Sequence, residues 1–261
     1  MKVRIKFRKY GALKFIGHLD VMRFFQKAMR RAEIPIAFTG GYSPHMIMSF
    51  ANPLGIGLTS DGEYFDIELK EPISSEAAVR QLNQVMVEGI EVLSFRQIAE
   101  EKKMTGMAIV AAADYRTTLV KGEFPENWLD RAKEFIAQPE IRIMKQTKRS
   151  EKEVDIKPMI YQFRPVEENG GQITFYMQVA SGSVENLKPG LVMEALCGYM
   201  GINPEEVSFA CHRLEMYADT GVDGTRQLVS LENLGTEIPQ TPEKGTQCTQ
   251  MSGTETEMEP A

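Results

Sequence analysis

Apolar and charged residues alternate from the start of the chain: Val3, Ile5 and Phe7 are interleaved with Arg4, Lys6 and Arg8. A period of two marks a strand covered on one face, so residues 2–8 are predicted as a strand whose other face is basic. At Leu19 the period changes. At about 100° per residue, Met22, Phe25, Ala28, Met29 and Ala32 share one arc, and Arg23, Lys27, Arg30 and Arg31 lie opposite. The spacing predicts a helix over 19–33 that buries one stripe and shows a positive one. Ile34-Pro35 ends it, because proline pushes the preceding residue out of the helical region.

Further strands are predicted at 46–50, 64–69 and 90–95, and a helix over 75–86 with Ser74 or Ser75 as N-cap. The order is β-α-β-β-α-β. After the polar connector AEEKKMTGM it repeats, with strands at 107–119, 140–145, 172–180 and 207–215 and helices at 126–137 and 187–198. An order repeated twice predicts an α+β fold of two ferredoxin-like (split βαβ) modules in tandem, residues 1–97 and 98–217. From about Asp219 the text is Thr, Gly, Glu, Gln and Pro without periodicity. Such a chain does not offset its ordering entropy, so 218–261 is expected to be a disordered acidic tail.

Charge sharpens this picture. The chain of 261 residues carries a net charge of -6, yet up to Pro35 it has ten Lys/Arg against only Asp20 and Glu33. Segregated charge points to a polyanion-facing patch on the first module. No apolar run approaches the roughly 20 residues that span a bilayer, and no signal-peptide core is present, so a cytoplasmic location without membrane contact is expected. Cys197, Cys211 and Cys248 form no CxxC pair and are expected to be free thiols.

Two histidines stand out as candidate catalytic or anion-binding groups. His18 precedes the basic helix, with Asp20 in its first turn; it either binds an anion or moves a proton there, or the segment merely caps the helix. His45 follows the turn Gly40-Gly41-Tyr42-Ser43-Pro44, which offers amides and two hydroxyls, and the alternative is an incidental histidine after a glycine-driven turn. The third, His212, sits beside Cys211 in a strand where the two side chains face opposite ways, a poor chelate. The stretch 142–157 carries Arg142, Lys145, Lys148, Arg149, Lys152 and Lys157 against Glu151, Glu153 and Asp155, either a phosphate-contacting hairpin or a solvated loop.

Several chemistries are excluded by motif. Gly55-Ile56-Gly57 lacks the third glycine and flanking elements of a dinucleotide fingerprint, and no GxxxxGK[ST], HExxH or GxSxG occurs. Without CxxxCxxC the chain does not supply the usual ligation of a radical-SAM cluster.

The run Phe15-Ile16-Gly17-His18-Leu19-Asp20-Val21-Met22-Arg23, with Gly41-Tyr42-Ser43-Pro44-His45 and Lys148-Arg149-Ser150-Glu151, resembles a bacterial radical-SAM-linked domain of unknown function. Such domains are found beside or fused to cobalamin-binding radical-SAM proteins. The resemblance covers roughly residues 1–215 and implies a radical-SAM partner. The iron–sulfur cluster, S-adenosylmethionine and cobalamin would then reside on that partner, with none bound by this chain. It also marks His18, Asp20, Arg23, Tyr42, Ser43, His45, Lys148, Arg149, Asp155 and Lys157 as site candidates. Met46 stands after the SPH turn where relatives often carry a basic residue, which weakens a phosphate clamp there.

Three functions follow as expectations. The first is a non-catalytic accessory protein that binds RNA of tRNA type through Arg23, Lys27, Arg30 and Arg31. The second is a module that docks the radical-SAM partner without nucleic acid. The third is a metal-independent ribonuclease using His18 and His45 as acid and base.

Overall fold

The computed structural model describes residues 1–101, 104–146, 151–167 and 171–240. The first half contains β1 (Lys2–Lys9), α1 (His18–Arg31), β2 (Met48–Phe50), β3 (Thr59–Glu68), α2 (Ser75–Gln84) and β4 (Ile90–Gln97). Alternation in β1 turns Val3, Ile5 and Phe7 inward, where they meet the buried stripe Val21, Phe25, Ala28 and Met29 of α1. The Phe25 ring sits 4.8 Å from Phe7 and 4.6 Å from Phe65. Each such phenylalanine contributes about 1.5–3 kcal/mol by leaving water, which fixes α1 against the sheet.

The second half opens with a one-turn helix α3 (Gly106–Ile109) and continues through β5 (Val110–Lys121), α4 (Trp128–Ala137), β6 (Arg142–Gln146), β7 (Glu151–Asp155), β8 (Ile160–Glu167), β9 (Ile173–Ala180), α5 (Pro189–Met200) and β10 (Ser208–Asp219). Its sheet runs β10-β5-β9-β8, the same fourth-first-third-second order as β4-β1-β3 with β2 on β3 in the first half. The strand expected at 140–145 is therefore misplaced. It is β6, one arm of a separate hairpin with β7, and β8 takes the edge of the sheet. Pro165 has no N–H to give, which an edge strand tolerates.

The halves expected at 1–97 and 98–217 share one ten-stranded mixed sheet, because β3 and β10 pair in parallel through His212↔Thr59 and Arg213↔Ser60. Gly62 permits the approach: a Cβ there would lie 2.8 Å from both Glu215 Cα and Leu214 O.

The expected tail starts too early. Residues Leu228–Ser230 form β11 on β10, and Thr236–Glu237 form β12 on β4. Between them Leu231 is fully buried in the second half's core, and Ile238 packs against the first. Ser75 donates its hydroxyl to Phe95 O, and its N–H donates to Ile238 O at 3.0 Å. A few leucines in polar text are thus enough to order this strap. Residues 241–261 of the expected tail lie outside the described residues.

Candidate functional site

The basic outer face expected for β1 is neutralised. Arg4 pairs with Asp66, Lys6 lies 2.8 Å from Glu215 and 2.9 Å from Glu232, and Arg8 lies 3.2 Å from Asp61. Burial pulls the Lys6 ammonium down, but the two carboxylates outweigh it and hold it above its ordinary range. These partners come from β3, β10 and the strap, so the face is a seam between the halves.

What stays open is α1. Arg23, Lys27, Arg30 and Arg31 are all exposed. Asp20 Oδ1 lies 3.5 Å from Arg23, and Arg31 donates to Val85 O at 3.1 Å. Among the described residues no carboxylate pairs with Lys27, Arg30 or Arg31. At 1.5 Å rise per residue, Arg23 to Arg30 spans about 10 Å. Just before the helix, on the 3₁₀ turn Gly11–Phe15, the Phe15 ring is 66% exposed, and Leu19 is 59% exposed.

His18 occupies the first position of α1 behind Gly17, which serves as N-cap. Its ring meets Phe50 edge-on at 5.0 Å, and burial holds its pKa below the ordinary histidine value. It lines a cavity of about 20 Å³ together with Lys9, Glu63, Phe7, Val21 and Phe50.

The Tyr42-Ser43-Pro44-His45 turn is exposed, with His45 Nδ1 3.0 Å from Thr39 Oγ1. His45 lines another cavity, of about 210 Å³, with Lys2, Met48, Asp66 and Thr105. The two cavities share no residue. The structure therefore does not bring His18 and His45 into one cleft.

In the stretch 142–157, Lys148 and Arg149 lie outside the described residues. Asp155 accepts from Ile141 N at 2.9 Å and Lys157 N at 3.0 Å, and these bonds depress its pKa. Lys157 Nζ donates to Ile136 O. Both residues are engaged in closing the base of the hairpin, and Arg142 pairs with Glu140 and Glu153 across it.

A buried charge cluster escaped the sequence reading. Lys9, Glu63 and Arg213 are 2%, 4% and 3% exposed. Arg213 Nη1 lies 3.0 and 3.2 Å from the Glu63 oxygens and 2.8 Å from Asn52 O, while its Nε donates to Tyr115 OH at 3.1 Å. Lys9 has one acceptor, Ile16 O at 3.2 Å. Burial pushes the Glu63 carboxyl up against the pull of Arg213, Ser60 and Lys9, and it lowers Lys9. The signal for Lys9 was present, since it keeps phase with Val3, Ile5 and Phe7. On the opposite side of the same junction, His212 bridges Thr59 Oγ1 at 2.8 Å and Asp61 Oδ2 at 3.0 Å, pinning β10 to β3.

Residues 2–189 match the model of a family described as an uncharacterized protein conserved in bacteria (DUF2344). The chain belongs to the DUF2344 family. No curated protein matches this DUF2344 chain. Among solved structures it is similar to a chain in the crystal structure of a Cbf5-Nop10-Gar1 complex, at 12% identity over 82% of this chain and 48% of that one, with a TM-score of 0.48. A chain in a structure of an H/ACA RNP bound to a substrate RNA containing 2'-deoxyuridine gives 12% identity, 81% and 46% coverage and a TM-score of 0.43. This DUF2344 chain thus spans about half the length of the solved chains it matches. Among its described residues no group of three His, Cys, Asp or Glu is placed to hold a metal, and no helix is long and apolar enough to cross a membrane.

Proposed function

We propose that this chain is a non-catalytic accessory protein that binds RNA through the exposed face of α1, working beside a radical-SAM partner. The observation that carries the RNA reading is the contrast between two basic surfaces: Arg4, Lys6 and Arg8 on β1 are paired, while Lys27, Arg30 and Arg31 on α1 face water without a carboxylate partner among the described residues. An unpaired stripe gains most from phosphates, whose binding releases condensed counterions. Phe15, exposed just before the same helix, offers a ring on which an unpaired base stacks. The repeated fourth-first-third-second strand order supports two ferredoxin-like halves. The resemblance of the His18 and His45 segments supports the partner, on which the iron–sulfur cluster, S-adenosylmethionine and cobalamin would reside.

Ultraviolet cross-linking of the purified chain to single-stranded RNA tests the surface. Cross-linked peptides are expected within residues 14–31; cross-links confined to other segments would refute it. The alternative, docking of a partner protein, is favoured by the exposed Phe15, Leu19 and Ile56. It predicts nuclease-resistant association with the radical-SAM protein and no RNA adducts.

A further inference from the structure

We propose that the small cavity between α1, β1 and β3 binds a small monoanion, of the size of chloride or the carboxylate of formate. Two cations, Lys9 and Arg213, face one carboxylate, Glu63, and all three are at least nineteen-twentieths buried. The other groups facing the cluster are His18 from α1 and Tyr115 from β5, and neither is a carboxylate. One positive charge is therefore in excess in a largely buried place. Buried charges are ordinarily paired, and an unpaired one is costly.

Lys9 locates the excess. Arg213 has its carboxylate, a carbonyl and a phenol oxygen, whereas the Lys9 ammonium has three donors and a single acceptor, Ile16 O. Lys9 and His18 line the same 20 Å³ cavity, enough for about one water-sized group. The cavity also adjoins the start of a 14-residue helix, whose dipole favours negative charge. Its remaining wall is apolar, formed by Phe7, Val21, Phe50, Pro53 and Leu54, so it discriminates against large hydrated anions. An anion beside His18 favours the imidazolium, so binding strengthens as pH falls.

Thermal unfolding at constant ionic strength, with sodium gluconate as the reference salt, tests the site. Replacing gluconate by formate or chloride is expected to raise the midpoint saturably, by roughly 2–4 °C at about five times Kd. Lys9→Met should fold at least as stably in gluconate and lose that rise. Where this variant does not fold, proton NMR of the intact parent serves: formate must raise the titration midpoint of His18. A midpoint that follows ionic strength alone, a Lys9→Met protein that keeps the anion response, or a His18 midpoint indifferent to formate would overturn the proposal. So would an equal, saturable response to phosphate, which the cavity is too small to hold. None of these outcomes touches the RNA reading, since Arg23, Lys27 and Arg30 do not line the cavity.

Discussion

Asp66 holds Arg4 at two points, Oδ1 to Nε at 2.8 Å and Oδ2 to Nη2 at 3.0 Å, and its Oδ2 also accepts from Gly106 N at 2.7 Å. Arg4 reaches on to Met104 O at 2.9 Å and Leu231 O at 3.4 Å. One buried ion pair in the first half thus fastens the start of the second and the strap to it. Asp66→Leu leaves the guanidinium buried without its carboxylate, and urea denaturation should show a loss of about 3–5 kcal/mol. The double variant Arg4→Met, Asp66→Leu should recover most of that loss. A single variant as stable as the parent would contradict the fastening role.

The strap depends on Leu231 in the same way that a core strand does. Leu231→Ala is expected to cost about 2–5 kcal/mol through lost burial and the cavity left behind, measured by urea denaturation. A surface change at Thr236, which is exposed, should alter stability by less than about 0.5 kcal/mol.

Gly62 is a point of close approach between the backbones of β3 and β10. A Cβ there meets backbone atoms of β10, which cannot swing aside, so Gly62→Ala should destabilise by about 1–3 kcal/mol or more. Amide exchange should accelerate first in β3 and β10, where the halves join. Unchanged exchange at that junction would show that the sheet accommodates the methyl.

Acid acts through His18. Its folded pKa lies below its ordinary value of 6.5, so near and below that pH the unfolded chain binds more protons than the folded one. Stability therefore rises with pH across this window and is lost as pH falls through 6.5. In His18→Gln this component should vanish from the difference between unfolding curves at pH 7 and pH 5. The measurement is made in gluconate, because a bound anion favours the imidazolium and opposes the effect.

Periodicity made β1 and α1 legible, because Val3, Ile5 and Phe7, and Phe25, Ala28, Met29 and Ala32, lie on single buried faces, although Val21 is buried and the expected Met22 only half-buried. It failed where burial is set by distant chain. The alternation in β1 showed that Arg4, Lys6 and Arg8 share a face, but not that Glu215 and Glu232 would cover part of it. Likewise Leu228, Val229, Leu231 and Leu234 sit in text whose composition reads as disordered; pairing with β10, the second half's core and Arg4 order them, and all of these lie far away in sequence or are invisible to composition. For the candidate site, the exposed placement of Arg23, Lys27, Arg30 and Arg31 on α1 was legible from the same period. The Lys9–Glu63–Arg213 cluster was not, since its members come from three strands far apart in sequence.

The α1 stripe is the central claim, and its salt dependence tests it most directly. The affinity of purified protein for bulk tRNA, followed from about 50 to 200 mM salt, should fall with a log–log slope near -2 to -3 for three to four phosphate contacts. In Arg23→Glu, Lys27→Glu, Arg30→Glu, binding should be lost while the unfolding midpoint stays close to the parent's. Equal affinity and equal slope in the parent and the triple variant would contradict the account.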